Sequence, residues 1–264
     1  MAKHWDALVY GDYEAVMPLT WNSKWGISYL YQPAFMQQLG VFSKAFLDTS
    51  LLDEFISTAR KHFRFAEIFL NYHNNLPGLP ISSNMILSLD KPYEEVYNGY
   101  ARGFISSLDK SGKHQLMYRK DADINNALTN NRLLYGMRVP HVTDECYERF
   151  NSLCKHAYEN DSLVLRTATD DQGQVVATAL LFSKNGRLYL LQSTTPEEGR
   201  VLAANHFLLD RIIHEFAGKQ IILDLEGSDI PGVAHFYKSL GATGQPYFFC
   251  RWNDLPWFLK WMKS

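Results

Sequence analysis

Hydrophobic and polar residues alternate with the period of a β-hairpin at two places in the chain, residues 14–33 and residues 174–193. Each place has two runs rich in β-formers, joined by Ser-Lys-Trp-Gly in the first and Ser-Lys-Asn-Gly in the second. Asn-Gly favours a tight hairpin turn because both residues accept a positive φ. Aligned without gaps at an offset of 160, the two stretches are identical at seven of twenty positions. The pattern therefore predicts two hairpins and an internal repeat.

The similarity continues beyond the hairpins. Each is followed by a glycine-containing loop, an amphipathic helix that contains Leu-Leu-Asp, and a strand, at residues 66–71 in the first copy and 220–226 in the second. Upstream the copies differ, because about ten residues precede the first hairpin. The second is preceded by a predicted strand, two helices and a strand, at residues 114–120, 123–134, 143–159 and 162–168. A strand at 84–89 and a helix at 92–108 lie between the copies.

This order of elements predicts an α/β fold with layered α+β architecture, in which helices flank mixed central sheets. We expect two units: a shortened one over residues 1–110 and a complete one over residues 111–264.

Composition and charge argue against DNA binding, metal binding and a membrane-spanning segment. The formal net charge of -2 provides no general basic surface for DNA. The three cysteines fit no zinc spacing, and no helix pairs its histidines as metal ligands, so no metal is expected. The chain shows no secretory signal and no run of 18 apolar residues, which predicts a cytoplasmic protein without a membrane span. The oligomeric state is left open.

Near the end of the second copy, Phe236-Tyr237 is followed by Gly241 in a predicted helix that leads to a strand. This segment and the order of elements resemble the GNAT acyltransferases. Two such units in one chain are similar to the Fem family of peptidoglycan aminoacyl-transferases and their acetyltransferase relatives. The resemblance implies acyl or aminoacyl transfer to an amine, with a small molecule or a peptidoglycan-precursor-like compound as the acceptor.

The resemblance also implies catalytic residues. Tyr237 matches the tyrosine that protonates the leaving group in many GNAT enzymes, although a ring packed against the sheet is the alternative. Glu226, or Asp224, would accept the proton of the amine. These two residues are two apart in a predicted strand, so they are expected on one face. Ser228 either binds the acceptor or, with Asp229, caps the following helix.

GNAT enzymes bind the CoA pyrophosphate in a Gln/Arg-x-x-Gly-x-Gly/Ala loop, which makes acyl-CoA a candidate donor here. The matching positions are Glu198, Gly199 and Arg200, with Gln192 and Ser193 on the preceding strand. Val201 stands where the second glycine is expected, and a second glutamate precedes Glu198. Arg200 binds either a ligand anion or a nearby carboxylate. Gln192 is repeated by Gln32 in the first copy, which favours a structural role for both.

Arg102 and Arg119 are candidates to bind an anionic sugar or peptide precursor between the halves, and solvated surface arginines are the alternative. The leading hypothesis is thus an acyl- or aminoacyl-transferase that acts on an amine of a cell-envelope or amino-sugar precursor. The second hypothesis is a catalytically degenerate GNAT-like module that binds a ligand or a partner. A third, transfer from aminoacyl-tRNA, is less favoured because the long polar helical pair of the Fem enzymes is not recognisable.

Overall fold

The computed structural model describes residues 2–120, 123–227 and 230–260. The strands, in chain order, are β1 His4–Tyr10, β2 Ala15–Lys24, β3 Ile27–Tyr31, β4 Phe42–Ser43, β5 Phe65–Leu70, β6 Ile81–Ser88, β7 Met117–Arg119, β8 Leu163–Thr169, β9 Val175–Lys184, β10 Arg187–Thr194, β11 Ile222–Gly227 and β12 Thr243–Asn253. The helices are α1 Thr49–His62, α2 Tyr93–Asn98, α3 Arg102–Ser111, α4 Ile124–Tyr135, α5 Asp144–Glu159, α6 Glu197–Val201, α7 Ala204–Phe216, α8 Pro231–Ser239 and α9 Trp257–Lys260.

The chain divides into two compact units. The first unit combines Met1–Ser83 with Gln245–Ser264, and the second unit is Asn84–Gly244. These boundaries differ from the predicted segments 1–110 and 111–264. The difference arises because the last strand pairs with β5 in the first unit, while residues 84–110 belong to the second. The assignment of a shortened and a complete GNAT-like unit to the two predicted segments stays a prediction.

In the first unit the strands follow the order β1-β2-β3-β5-β12, with β4 beside β2. Strands β3 and β5 are parallel, and β12 lies antiparallel to β5 from Phe248 opposite Leu70 to Asn253 opposite Phe65. The helix α1 connects the two parallel strands, and its first turn is capped by Asp48, whose side chain accepts from the Ser50 N–H. Phe55 and other apolar residues of α1 pack into the buried core of this unit.

In the second unit the order is β6-β11-β10-β9-β8-β7, and only β10 and β11 form a parallel pair among the described strands. Helix α4 lies on one face, where the Asn131 amide donates to the Thr194 hydroxyl at 2.7 Å. Helix α7 lies on the other face, where Glu215 forms a salt bridge with Arg166. The unit is thus a mixed sheet flanked by helices, as the sequence predicts.

The structure confirms both predicted hairpins. Each turns through two residues of positive φ, Trp25 (53°) with Gly26 (74°) and Asn185 (50°) with Gly186 (71°), which is the geometry of a type I′ turn. Each hairpin is followed by a helix and by a strand that pairs in parallel with the hairpin's second strand. The order and the pairing of elements therefore match in both places, and the duplication of the sequence stays a prediction.

Two predicted helices are interrupted. The helix expected over residues 92–108 is two helices, because Ala101 has an extended backbone and its N–H donates to Ser239 in α8. The central helix is divided into α6 and α7 at Ala203, whose φ of 53° is left-handed. The spacing of apolar residues predicts neither interruption, because one depends on a tertiary contact and the other on a left-handed residue.

Candidate functional site

The candidate site lies where β10 and β11 part. The two strands pair from Arg187 opposite Ile222 to Tyr189 opposite Asp224. On its other side β10 pairs with β9, and β11 pairs with β6, and each of these two pairings has an irregularity just beyond the parallel segment. Bulges of this kind redirect side chains next to active sites. We refer to this opening in the second unit as the fork.

Asp224 anchors the base of the fork. Its carboxylate is buried and forms a 2.7 Å ion pair with Arg187, which is buried as well. It also accepts hydrogen bonds from the Asn84 amide and from the backbone N–H of Glu226, both at 2.9 Å. These three contacts fix the carboxylate of Asp224 in position.

Glu226 follows Asp224 in the bulge of β11 against β6. Its φ is 57°, a left-handed conformation that costs a non-glycine residue roughly 1–2 kcal/mol. The simple alternation of a strand, from which a shared face with Asp224 was predicted, is interrupted at this residue. Burial raises the pKa of Glu226 to about 8, and the charge of Asp224 adds to the effect. The carboxyl group therefore changes its protonation state near neutral pH.

Tyr237 lies on α8, half-buried, and its ring packs against the core of the second unit. Burial raises the pKa of its phenol to about 12, and the charge of Glu226 contributes as well. The charge of Glu226 therefore acts on the protonation of Tyr237. At neutral pH the phenol holds its proton, so it is suited to donate rather than to accept.

Gln32 and Gln192 occupy matching positions of the repeat: Gln32 directly follows β3, and Gln192 lies within β10. In the first unit the Gln32 side chain bridges β3 and β5: its oxygen accepts from the Phe69 N–H at 3.0 Å, and its amide donates to the Met36 carbonyl at 2.8 Å. In the second unit Gln192 is buried, and its Nε2 has no hydrogen-bond partner within residues 2–120, 123–227 and 230–260. Gln32 therefore links β3 to β5 in the first unit, whereas Gln192 in the second unit has an amide donor without a partner in the described part of the chain.

The turn that would bind a CoA pyrophosphate fits that group poorly. Gly199 is buried, and a Cβ at this position would lie 1.8 Å from the Val176 carbonyl oxygen, so the glycine allows α6 to pack closely against β9. Glu197 and Glu198 are exposed in the first turn of α6, where they themselves satisfy the positive end of the helix. The exposed Arg200 donates to the Thr195 carbonyl at 3.3 Å.

The remaining predicted residues lie apart from the fork's ion pair. The Ser193 hydroxyl donates to Asn205 at 3.0 Å. Arg102 is exposed at the first position of α3, and Arg119 is exposed in β7, so both belong to the second unit. Ser228 and Asp229 lie outside the described residues. Substrate binding by the two arginines and cofactor binding by Ser193 stay predictions.

Sequence reasoning missed the two residues that hold Asp224. Arg187 directly follows the second hairpin turn, and Asn84 lies 140 positions before Asp224. Arg187 could have been found from the sequence, because an arginine in a buried strand needs an acidic partner and the neighbouring strand contains Asp224. Nothing local to Asn84 indicates the second, because the contact depends on the pairing of β6 with β11.

Among the described residues, no three His, Cys, Asp or Glu side chains are grouped so that they could bind a metal ion. In the same part of the chain, no helix combines the length and the apolar character needed to cross a bilayer. Cys154 and Cys250 are buried free thiols, and burial raises the pKa of both.

Comparison with known proteins supports the fold. The fold is similar to that of FemX, with a TM-score of 0.66 and 12% identity over 98% of this chain and 91% of the other. It is also similar to a conserved protein of unknown function from Bacteroides thetaiotaomicron (TM-score 0.60, 11% identity, 90% and 83% covered). A third similar structure is L-PGS from Bacillus licheniformis (TM-score 0.57, 9% identity, 98% and 87% covered). No curated protein matches the sequence.

The family model described as "Acetyltransferase (GNAT) domain" matches residues 100–238, more than half of the chain. This range includes the fork and Tyr237. The predicted GNAT-like fold is thereby confirmed, and the chain belongs to the acetyltransferase (GNAT) domain family.

Proposed function

We propose that this chain transfers an acyl or aminoacyl group to an amine at the fork between β10 and β11. The observation that carries the proposal is the pair formed by Glu226 and Tyr237. Their environments place one pKa at about 8 and the other at about 12. Two neighbouring groups whose pKa values are held apart in this way are suited to act as base and acid in one reaction.

In the proposed reaction the amine nitrogen attacks the carbonyl carbon of an activated acyl donor. The Glu226 carboxylate takes the proton that the amine loses, and the Tyr237 hydroxyl gives its proton to the leaving group. Transfer of the proton from Glu226 to the tyrosinate restores both groups. Asp224 is ion-paired with Arg187 and bonded to the Glu226 N–H, so it positions the base.

The pKa of Glu226 gives the reaction a pH dependence. At about pH 7 only about a tenth of a carboxyl group with a pKa near 8 is ionised. Turnover should therefore rise with pH up to about pH 8 and then level off, as long as the phenol remains protonated.

The unused Gln192 Nε2 is a candidate donor to the carbonyl oxygen of the acyl group, where negative charge develops. The α6 turn fits a CoA pyrophosphate poorly, and no step of the proposed reaction depends on CoA. For the acceptor we propose an amine of a cell-envelope precursor, an amino sugar or a peptide, as the resemblance to the Fem family implies.

The test is a transfer assay with acetyl-CoA or a charged tRNA as donor and glucosamine or a lysine-containing peptide as acceptor, with the product detected by mass spectrometry. Tyr237→Phe should lower turnover by roughly 10²-fold, since it removes the proton donor but keeps the ring. Tyr158→Phe, at an exposed position of α5, is the matched control and should have no effect. Undiminished turnover in Tyr237→Phe would show that this residue is not the acid.

A second candidate is a GNAT-like module that binds its ligand without transfer. The two exposed glutamates and the packed glycine of the α6 turn favour it. A thermal-shift titration with acetyl-CoA and longer acyl-CoAs separates the two functions. Stabilisation without product supports the binding module, and product from any of the donors supports the transferase.

A further inference from the structure

A polar cleft of about 260 Å³ opens in the second unit between the start of α4 and strands β7, β8 and β9. It is smaller than the pockets of ~300–1,000 Å³ that accept drug-sized ligands. Arg119, two asparagines of α4 and three threonines supply most of its wall, and none of its lining residues is aromatic. These properties indicate a small polar ligand and disfavour a nucleobase, which usually stacks on a ring.

The polar side chains form a row across the sheet. Arg119 lies opposite Thr167, Thr167 lies opposite Thr178, and Thr178 lies opposite Thr194 in the strand register. Residues directly opposite one another share a face, so one guanidinium and three hydroxyls follow each other over four strands. The amide of Asn131 donates to the Thr194 hydroxyl, which places the row beneath α4.

The wall of the cleft has unused hydrogen-bonding capacity. Thr169 is 7% exposed, and its hydroxyl has no hydrogen-bond partner within the described ranges. A buried hydroxyl without a partner costs roughly 1–3 kcal/mol, a loss that a bound ligand can offset. Arg119 contacts the Met117 sulfur at 3.4 Å and forms no salt bridge with any carboxylate of the described chain.

The charges of the cleft select among polar ligands. Arg119 is the cationic side chain of the lining, and a planar guanidinium matches a single carboxylate bidentately. Asp123 also lines the cleft, and its carboxylate accepts from the N–H groups of Asn125 and Asn126. Its negative charge repels a doubly charged phosphate more strongly than a singly charged carboxylate. Threonine hydroxyls and asparagine amides both donate and accept, as hydroxyl groups of a ligand require.

We infer that this cleft binds a small carboxylate-bearing molecule with several hydroxyl groups, such as a sugar acid or a polyhydroxy acid. Arg119 binds the carboxylate, and the three threonines that line the cleft (Thr167, Thr169 and Thr178), together with Asn126 and Asn130, bind the hydroxyls. This inference goes beyond the proposed transferase. It invokes neither Glu226 nor Tyr237, and binding can be measured without any acyl donor.

The experiment is isothermal titration calorimetry of the full chain with D-glucuronate and D-gluconate, with D-glucose as the neutral control. At least one acid should bind with a dissociation constant of about 1 mM or below, and glucose should bind at least about tenfold more weakly. Arg119→Gln should weaken the acid by about tenfold or more. Arg64→Gln, an exposed arginine of the first unit, is the matched control and should bind like the wild type.

Thr169→Val separates ligand binding from a purely structural role. Removal of the buried hydroxyl should raise the unfolding temperature, because the group has no partner in the described chain. The same variant should weaken acid binding severalfold, since the ligand loses that partner. The inference is overturned if neither acid binds at about 10 mM, if glucose binds equally well, or if Arg119→Gln or Thr169→Val keeps the wild-type affinity.

Discussion

Replacement of Glu226 by glutamine should change how stability depends on pH. The folded protein raises the pKa of this carboxyl from its ordinary value of 4.5 to about 8, so the folded chain binds the proton more tightly than the unfolded chain. The resulting stability is fully present below about pH 4.5 and is lost as the pH rises through about 8. Glutamine keeps the shape of the protonated acid but cannot ionise, so Glu226→Gln should not share this loss.

The magnitude follows from the size of the pKa shift. Each unit corresponds to 1.36 kcal/mol of differential interaction. Integrated over the titration, the wild type should lose about 2–3 kcal/mol of unfolding free energy, relative to Glu226→Gln, between about pH 6 and about pH 9. The variant should accordingly be the more stable protein at alkaline pH.

Urea denaturation at several pH values, followed by far-ultraviolet circular dichroism, measures this difference. Tryptophan fluorescence is unsuitable, because all six tryptophans lie outside residues 84–244 and thus outside the second unit. Glu159→Gln, which replaces an exposed glutamate at the end of α5, is the matched control. If the unfolding free energies of wild type and Glu226→Gln run parallel over this pH range, the carboxyl group is not a buried acid and its role as a poised base fails.

Two further substitutions test the packing around the fork. Gly199→Ala should lower stability by about 1–3 kcal/mol or more in thermal unfolding, because its Cβ would lie 1.8 Å from a backbone oxygen. Gly232→Ala, where a Cβ meets nothing within 4 Å, should be neutral or mildly stabilising, and equal losses in both variants would contradict the steric argument. Asp224→Asn should cost about 3–5 kcal/mol, because the buried Arg187 loses its carboxylate, and a cost below about 1 kcal/mol would show that the ion pair is dispensable.

The sequence predicted the elements that short-range patterns determine. The turn at Asn185 and Gly186 requires two positive φ values, which only a few residue types accept readily. The amino-acid sequence alone therefore predicts the position of this hairpin. The helices after each hairpin follow from the spacing of apolar positions, and α8 begins at Pro231 as expected from a residue without an N–H.

Features that depend on distant contacts could not be predicted in the same way. The bulge at Glu226 depends on the register of β11 against β6, and the ion pair of Asp224 joins residues 37 positions apart. Tyr237 was identified through the family resemblance, whereas its raised pKa depends on how deeply α8 buries the ring. The row of threonines could not be predicted, because each is an ordinary strand residue in the sequence and only the register of the sheet aligns it with Arg119.

The pairing of β12 with β5 has a consequence for folding during synthesis. The ribosome completes all of Asn84–Gly244 before it makes the strand that finishes the first unit. Until then the edge of β5 lacks that partner, and Phe248, Cys250 and Trp252 are missing from the core of the first unit. The second unit can therefore fold before the first unit has its last strand, which reverses the usual N-to-C order of domain folding. A pause in translation after residue 244 would prolong the exposure of that strand edge, which is the period when aggregation is most favoured.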